Sequence, residues 1–374
     1  MQAKRHILLL LLICSCLWRN HSVYAQHSTR PIEELPHIFF KNNSTTLKWV
    51  ENGTTRQVNS DDRKAFTKYI GLFSKKLQVD LRRLLVEGGN PKRGTEAFLE
   101  QYDNVQRFAA VSDLHGQHDL FVKLLQQHRI IDQHGDWIYG NGHLVIVGDI
   151  MDRGDKVTES LWLLVKLEKQ ATKKGGAVHY VIGNHELMVF DNDLRYIHHK
   201  YQEIADMFGV GYHQFFAQNT FFGRWLKQKP VVIGINNILF THGGISPEFV
   251  TRGLTGSRTN QLFVDSIFTQ PKQHYRKNEE LEFLTRSKGP LWYRGYFTDT
   301  SFNAETLNFV LHGLKKDHIV VGHTSHPTIV NLYDNRIFGV DSSIKNGKNG
   351  EILLYENGIF YRGLLNGERQ SFLN

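Results

Sequence analysis

Sulfur is nearly absent from this chain. Its 374 residues include 2 cysteines, Cys14 and Cys16, both close to the amino terminus. A chain trimmed behind them has no thiol left. That excludes disulfides, a thiolate nucleophile and a zinc–thiolate site, so any metal must rest on His, Asp, Glu or Asn. Long apolar runs are also missing. Residues 7–17 form an apolar stretch of eleven, far short of the ~20 that a membrane span needs. No run of basic residues interleaves with aromatics, so a nucleic-acid partner has no specific support. Internal repeats and low-complexity segments are absent. Hydrophobic residues at 40% and charged residues at 22% match an ordinary globular chain.

What is present begins with a leader. Lys4, Arg5 and His6 precede the apolar stretch, and Val23-Tyr24-Ala25 offers small side chains at both recognition positions of a signal peptidase. Residues 1–25 are therefore expected to be a signal peptide, and the mature chain to be periplasmic or secreted with no membrane span. A short uncleaved anchor is the alternative. A lipid anchor on Cys16 fits less well, because Ile13-Cys14-Ser15 is a poor lipoprotein box. Lys4, Arg5 and Arg19 would leave with the leader, so the net charge of +8 becomes 8 − 3 = +5. That charge is compatible with anionic substrates without arguing for them.

Residues 26–100 read as a polar lead-in. Within it, 46–50 and 54–58 pair as a hairpin around Asn52-Gly53. Residues 61–85 follow as a helix with Phe66, Ile70, Phe73 and Leu77 on one face, and 87–95 as a Gly-rich break. From 101 to 374 the pattern predicts a larger domain. Apolar strands at 108–111, 144–147 and 178–182 alternate with helices, the sign of an α/β sheet with its site at the carboxyl ends of the strands. Residues 190–229 read as a helical, aromatic-rich insert. Its Phe215, Phe216, Phe221, Phe222 and Trp225 are expected in a core. Strands dominate afterwards, with a second hairpin turn at Asn357-Gly358. Residues 250–290 are polar and carry no clear period.

Five short motifs stand where predicted strands end: Ser112-Asp113-Leu114-His115-Gly116, Gly148-Asp149-Ile150-Met151-Asp152-Arg153-Gly154, Gly183-Asn184-His185-Glu186, Thr241-His242-Gly243-Gly244 and Gly322-His323-Thr324. A lone Asp after a strand is usually a helix cap, and a lone His is usually structural. Here each strand delivers an oxygen or nitrogen ligand to the same sheet edge, and each motif contains a glycine that permits close backbone approach.

This mixture suits two divalent ions, which sit ~3.5–4 Å apart and need a shared anionic bridge. Asp149 is the natural bridge. Asp113 and His115 would complete one ion, and Asn184, His242 and His323 the other. Oxygen and imidazole donors without sulfur suit manganese, iron or zinc. Such a pair lowers the pKa of a bridging water, so hydroxide can attack phosphorus in line. Arg153 supplies a guanidinium for the phosphoryl oxygens. His185, held by Asp152, supplies a proton to the leaving oxygen.

The ordered set GDxHG, GDxxDRG, GNHE, HGG and GH resembles the phosphoprotein phosphatase family of metallophosphoesterases, over roughly residues 106–343. The resemblance implies an α/β fold: a two-sheet β-sandwich flanked by helices, with 190–229 as a helical cap insert. It implies the same metal ligands, the His185–Asp152 pair and the Arg153 clamp. Ser112 departs from the usual first glycine, a change expected to affect a turn. The segment Leu291-Trp292-Tyr293-Arg294-Gly295-Tyr296 and the insert around Asp193-Leu194-Arg195-Tyr196 resemble the bacterial-type Shewanella-like branch. That branch makes Arg294 the second phosphate arginine; otherwise Arg294 is a surface residue stacked on Trp292 or Tyr296. His326 is a candidate for the pocket wall.

The implied activity is that of an exported, metal-dependent phosphatase on phosphoserine, phosphothreonine or phosphotyrosine in proteins. The alternative is a hydrolase of small phosphates or dinucleoside polyphosphates, because diadenosine tetraphosphatase shares these motifs. A binding module with a dead site would require a lost ligand or acid, and none is missing. The sequence assigns no oligomeric state.

Overall fold

The computed structural model describes residues 31–87 and 101–372. The expected leader and residues 88–95 of the Gly-rich break lie outside the described residues. Strands β1 (Glu34–Lys41), β2 (Ser44–Glu51) and β3 (Thr54–Asn59) form an antiparallel three-stranded sheet. Asn52 and Gly53 turn the β2–β3 hairpin at φ of 50° and 69°, both positive as a tight type I′ turn requires. Helices α1 (Arg63–Leu77) and α2 (Leu81–Glu87) follow. The single helix expected over 61–85 is broken at Gln78, whose φ is 53°. Asp62 caps α1 by accepting from the Ala65 N–H at 3.0 Å.

The remaining strands are β4 (Gln101–Tyr102), β5 (Arg107–Val111), β6 (His143–Val147), β7 (Ala177–Val181), β8 (Val232–Ile235), β9 (Ile238–Thr241), β10 (His318–Val321), β11 (Val330–Leu332), β12 (Ile337–Gly339), β13 (Glu351–Glu356), β14 (Ile359–Leu364) and β15 (Arg369–Ser371). They build two six-stranded mixed sheets, ordered β11-β12-β10-β9-β8-β4 and β15-β14-β13-β5-β6-β7. Strand alternation explains why they stack. Phe108 and Ala110 of β5, and Val145 and Val147 of β6, enter one apolar cluster with Ile233, Phe240, Val320 and Phe338 of the other sheet. Ala109, Val111, Leu144 and Ile146, one residue out of phase, enter a second cluster under the helices. Both faces of β5 and β6 are thus buried, which is why they read as continuous apolar runs.

Helices α3 (His118–Gln127) and α4 (Val157–Lys173) connect β5, β6 and β7, and α5 (Asn184–Phe190) follows β7. These three strands are parallel, as are β9 and β10 in the facing sheet. Five carboxyl ends therefore open at one edge of the α/β sandwich, as expected of a metallophosphoesterase.

Residues 190–229 contain α6 (His199–Phe208), a 3₁₀ turn (Tyr212–Phe216) and α7 (Phe221–Leu226). The five insert aromatics named above are all buried. Trp162 of α4 stacks on Phe221 at 5.2 Å, and His37 of β1 lies among Phe208, Phe215 and Phe222. Strand β1 carries no strand signal of its own; it is bonded to the insert through the Phe40 N–H and the Asn219 carbonyl at 2.7 Å. Residues 250–290 form short helices: α8 (Pro247–Thr251), α9 (Gly256–Leu262), a π turn (Phe263–Ile267), α10 (Lys272–Tyr275) and α11 (Glu279–Leu284). Helices α12 (Gly295–Thr298) and α13 (Ala304–Leu314) complete the set. No helix among the described residues is long and apolar enough to cross a membrane.

Candidate metal centre

Each ligand candidate leaves a strand and turns at once. Asp113, His115, Asp149, Asp152, Arg153 and His323 all have φ between 46° and 72°, a region that disfavours side chains other than Asn and Asp. Such turns swing consecutive side chains inward. Asp113, His115, Asp149, Asp152, Asn184, His185, His242 and His323 are all buried.

Asp149 lies at the centre. Its Oδ2 is 3.1 Å from His242 Nε2, 3.7 Å from His115 Nε2 and 3.9 Å from His185 Nε2. Two groups with metal-binding spacing share this carboxylate: His115, Asp149 and His185, and Asp149, His242 and His323. Asp113 Oδ1 lies 3.8 Å from His115 Nε2, beside the first group. Asn184 Oδ1 lies 2.9 Å from His242 Nε2, beside the second.

Backbone carbonyls set the tautomers. Met151 O faces His115 Nδ1 at 2.7 Å, and Val147 O faces His242 Nδ1 at 2.7 Å. Each bond requires Nδ1–H and turns Nε2 toward Asp149. His242 Nε2 then faces two oxygens, from Asp149 and Asn184. A nitrogen so placed needs either a proton or a shared cation. Burial disfavours charge on His242, but the Asp149 carboxylate outweighs it and raises the ring to about 10. Burial also pushes Asp149 up, yet His242, His185 and His115 hold it well below the usual carboxylate range. Asp113 is pushed well above that range by burial, with Asp341 and Asp149 adding to it. Burial lowers His115 to about 3. It also lowers His323, with His242 and Arg294 adding to the effect, and His323 Nε2 is buried without a hydrogen-bond partner. Convergent oxygens, the neutral imidazoles of His115 and His323, and the orphaned ring nitrogen of His323 fit a pair of divalent cations.

His185 opens α5, where its backbone N–H donates to Asp149 Oδ1 at 2.9 Å. Its Nδ1 is 2.6 Å from Asp152 Oδ2. Burial lowers the ring, but Asp149 and Asp152 raise it further, so the net direction is up. This bond distinguishes His185 from His115 and His242, whose Nδ1 atoms face carbonyls. A carboxylate partner favours the imidazolium, the form that donates a proton.

The arginines flank this centre. The Arg153 guanidinium lies over Tyr196 at 5.0 Å, and its backbone N–H donates to the Tyr196 carbonyl at 2.8 Å. Tyr196 also packs against His185 at 5.3 Å. Arg294 donates to the His323 carbonyl at 2.6 Å and to Thr324 Oγ1 at 3.3 Å. His326 packs on Phe297 at 4.8 Å, behind α12.

Three residues carry more than the sequence assigned. Glu186, fully buried, accepts from the backbone N–H groups of Asp149, Ile150, Met151 and Gly183 and from the Tyr180 hydroxyl, at 2.8–3.1 Å. Its only sequence signal was its place in the third motif. Asp341, after β12, is buried, and its charge acts on Asp113. Ser112 does more than shape a turn: its hydroxyl contacts Asp113 Oδ2 at 2.5 Å. Gly322 makes room for it, since a Cβ there would meet Ser112 Oγ at 1.9 Å.

Residues 106–327, more than half of the chain, match the model of the calcineurin-like phosphoesterases. The chain belongs to this family. This phosphoesterase is 25% identical over 306 residues to Shewanella-like protein phosphatase 1 of Plasmodium berghei, covering 77% of this chain and 78% of that one. It is 31% identical over 126 residues to Shewanella-like protein phosphatase 2 of Arabidopsis thaliana, covering 33% and 32%. Among solved structures it resembles the cold-active protein-tyrosine phosphatase of a psychrophilic Shewanella species. The TM-score is 0.79 at 35% identity, covering 91% of this chain and 100% of that one. The phosphoesterase is accordingly a phosphatase, a hydrolase of phosphate esters.

Proposed function

We propose that this phosphatase is an exported phosphoprotein phosphatase that prefers phosphotyrosine. The observation that carries the reading is the shared Asp149, around which both metal-binding groups converge. Asp113, His115, Asp149, Asn184, His242 and His323 would hold two divalent ions, drawn from manganese, iron and zinc. Bound there, such ions would supply Lewis acidity and a water nucleophile at neutral pH. The chain's own side chains do the rest. Arg153 and Arg294 orient the phosphoryl oxygens and stabilise their charge in the transition state. Asp152 holds the His185 imidazolium through Nδ1, leaving the Nε2 proton for the leaving oxygen.

The tyrosine preference is supported by the 35%-identical Shewanella enzyme, described as a protein-tyrosine phosphatase. Export is supported by the leader-like residues 1–25. Purified protein loaded with manganese should be assayed on matched phosphotyrosine, phosphoserine and phosphothreonine peptides and on diadenosine tetraphosphate. The highest kcat/KM is expected on phosphotyrosine. Faster turnover of the dinucleotide than of every peptide would refute the reading. Amino-terminal sequencing of protein recovered from its native compartment should begin at Gln26; a chain retaining Met1 in the cytoplasm would refute export.

A further inference from the structure

Beside the metal centre lies a cleft of about 710 Å³, a volume typical of ligand sites. One wall continues α5 past His185, through Leu187 and Met188; the other carries Trp292 and Arg294. Trp292 lies edge-on to His323 at 5.7 Å, so the cleft is contiguous with the candidate phosphate site on both sides. A peptide whose phosphate sits over Asp149 must extend somewhere, and this cleft begins there.

Its charge is one-sided. Arg195, Lys272, Arg276, Arg286, Lys288 and Arg294 line it, against Asp191 and Asp193. Both acids are already engaged. Asp193 accepts two bonds from Arg195, at 2.7 and 2.8 Å, and Asp191 accepts from the Tyr275 hydroxyl at 2.6 Å. Glu248 and Glu282 hold Lys288 and Arg286 from outside the lining. Counting those two acids as well, cations still exceed acids by two, or by one once Arg294 is given to the phosphate. Lys272 reaches only to 3.7 Å of Asp191, and Arg276 Nε is buried with no hydrogen-bond partner.

We infer that this cleft seats the carboxylate side chains that flank the phosphorylated residue of a peptide substrate. The inference rests on the protein-phosphatase reading and deepens it, because it names the peptide class. Carboxylates fit better than an apolar segment, since the mouth presents guanidinium and ammonium groups at several spacings. Contacts of this kind act on encounter and affinity, so the effect should appear in KM and weaken with salt.

The test compares phosphotyrosine peptides identical except for two flanking positions, filled by Glu, Gln or Lys. A solvent-exposed ion pair changes affinity by roughly threefold, so two acids should raise kcat/KM by roughly tenfold over Gln, through KM. A Lys272→Glu/Arg286→Glu variant should invert the order and favour the Lys peptide. Misfolding cannot produce that gain. Should the double variant fail to fold, Lys272→Gln should still lower the Glu-to-Gln ratio by roughly threefold. Equal treatment of the three peptides by the parent protein, or a Glu preference that survives the substitutions, would overturn the inference. Failure of the underlying reading has a different signature: p-nitrophenyl phosphate or diadenosine tetraphosphate is hydrolysed while every phosphopeptide is left intact. That result sinks both.

Discussion

Replacing Glu186 by Gln leaves the shape of the site unchanged and removes one charge. The carboxylate of Glu186 is fully buried. Its Oε2 accepts from the Asp149 and Gly183 N–H groups, and its Oε1 from Ile150, Met151 and the Tyr180 hydroxyl. Four of the partners are backbone N–H groups that can only donate, a set that favours the ionised form, although burial and Asp149 push the group upward. Glutamine keeps one oxygen. In either flip its NH₂ must face two backbone N–H groups. Hydrogen bonds to a charged group are worth about 1.5–3 kcal/mol each, so losing two costs about 3–6 kcal/mol. A chain of this size loses roughly 2 °C per kcal/mol, so Tm should fall by roughly 6–12 °C. The loosened loop also carries Asp149, so metal content should fall as well. Thermal unfolding and elemental analysis read both effects. A fall in Tm below about 2 °C with full metal content would show that these bonds do not hold the site together.

His185→Asn should slow phosphoserine hydrolysis by ~10²–10⁴ and p-nitrophenyl phosphate hydrolysis by less, because only the alkoxide needs a proton. Metal content decides between acid and ligand: a variant that loses one ion makes His185 a ligand with His115 and Asp149. Asp149→Asn should weaken both ions, since both metal-binding groups share that carboxylate; loss of one ion alone would contradict a bridge. At the opposite end of the sandwich, His179 Nε2 meets His143 Nδ1 at 2.9 Å. Burial lowers these rings to about 3 and about 4. The folded state holds them neutral, so their contribution is complete above the unfolded value of ~6.5 and is lost as pH falls below it. His179 alone should cost about 1.4 kcal/mol per pH unit between ~6.5 and 4. His179→Phe should flatten that slope in denaturant titrations, and an unchanged slope would remove His179 as its source.

What was legible in the sequence was what local chemistry decides. Asn52-Gly53 and Asn357-Gly358 marked hairpins because both turns need positive φ, and both have it. β5, β6 and β7 were legible because burial on both faces leaves uninterrupted apolar runs. β1 was not, because Glu34, Pro36 and His37 interrupt its pattern. Glu34 and His37 are a buried pair at 2.8 Å, and Glu34 is also met by Thr158 and Lys200 from distant segments. The short helices between 247 and 284 carry too few turns for a period to appear. The break at Gln78 has no Gly or Pro to announce it. At the site, the metal-ligand candidates were legible because each follows a strand. The roles of Glu186 and Asp341 were not, because an acid that binds backbone N–H groups or acts through its charge leaves no spacing signature.

The left-handed residues bear on what holds the centre in place. Asp113, His115, Asp149, Asp152, Arg153 and His323 occupy that region, at roughly 1 kcal/mol each. Their sum is comparable to the ~5–15 kcal/mol net stability of a whole domain, so strong local bonds must offset it. Those bonds lie in the backbone and in Glu186. Asp113 N–H donates to Gly148 O at 3.1 Å, His115 N–H to Asp149 O at 3.0 Å, Gly116 N–H to Ile150 O at 2.9 Å, and Glu186 clasps the same loop from below. The candidate ligands are therefore held in position by the backbone. Chelation should abolish turnover and lower Tm only by the binding linkage, about 2.7 kcal/mol for each ion that stands at a hundred times its Kd. Near-UV circular dichroism and a single cooperative transition should persist. Glu186→Gln, by contrast, should lose stability even with metal in excess. If chelation instead erased the near-UV signal, the ions would be holding the loops, and the backbone network would be a consequence of metal binding.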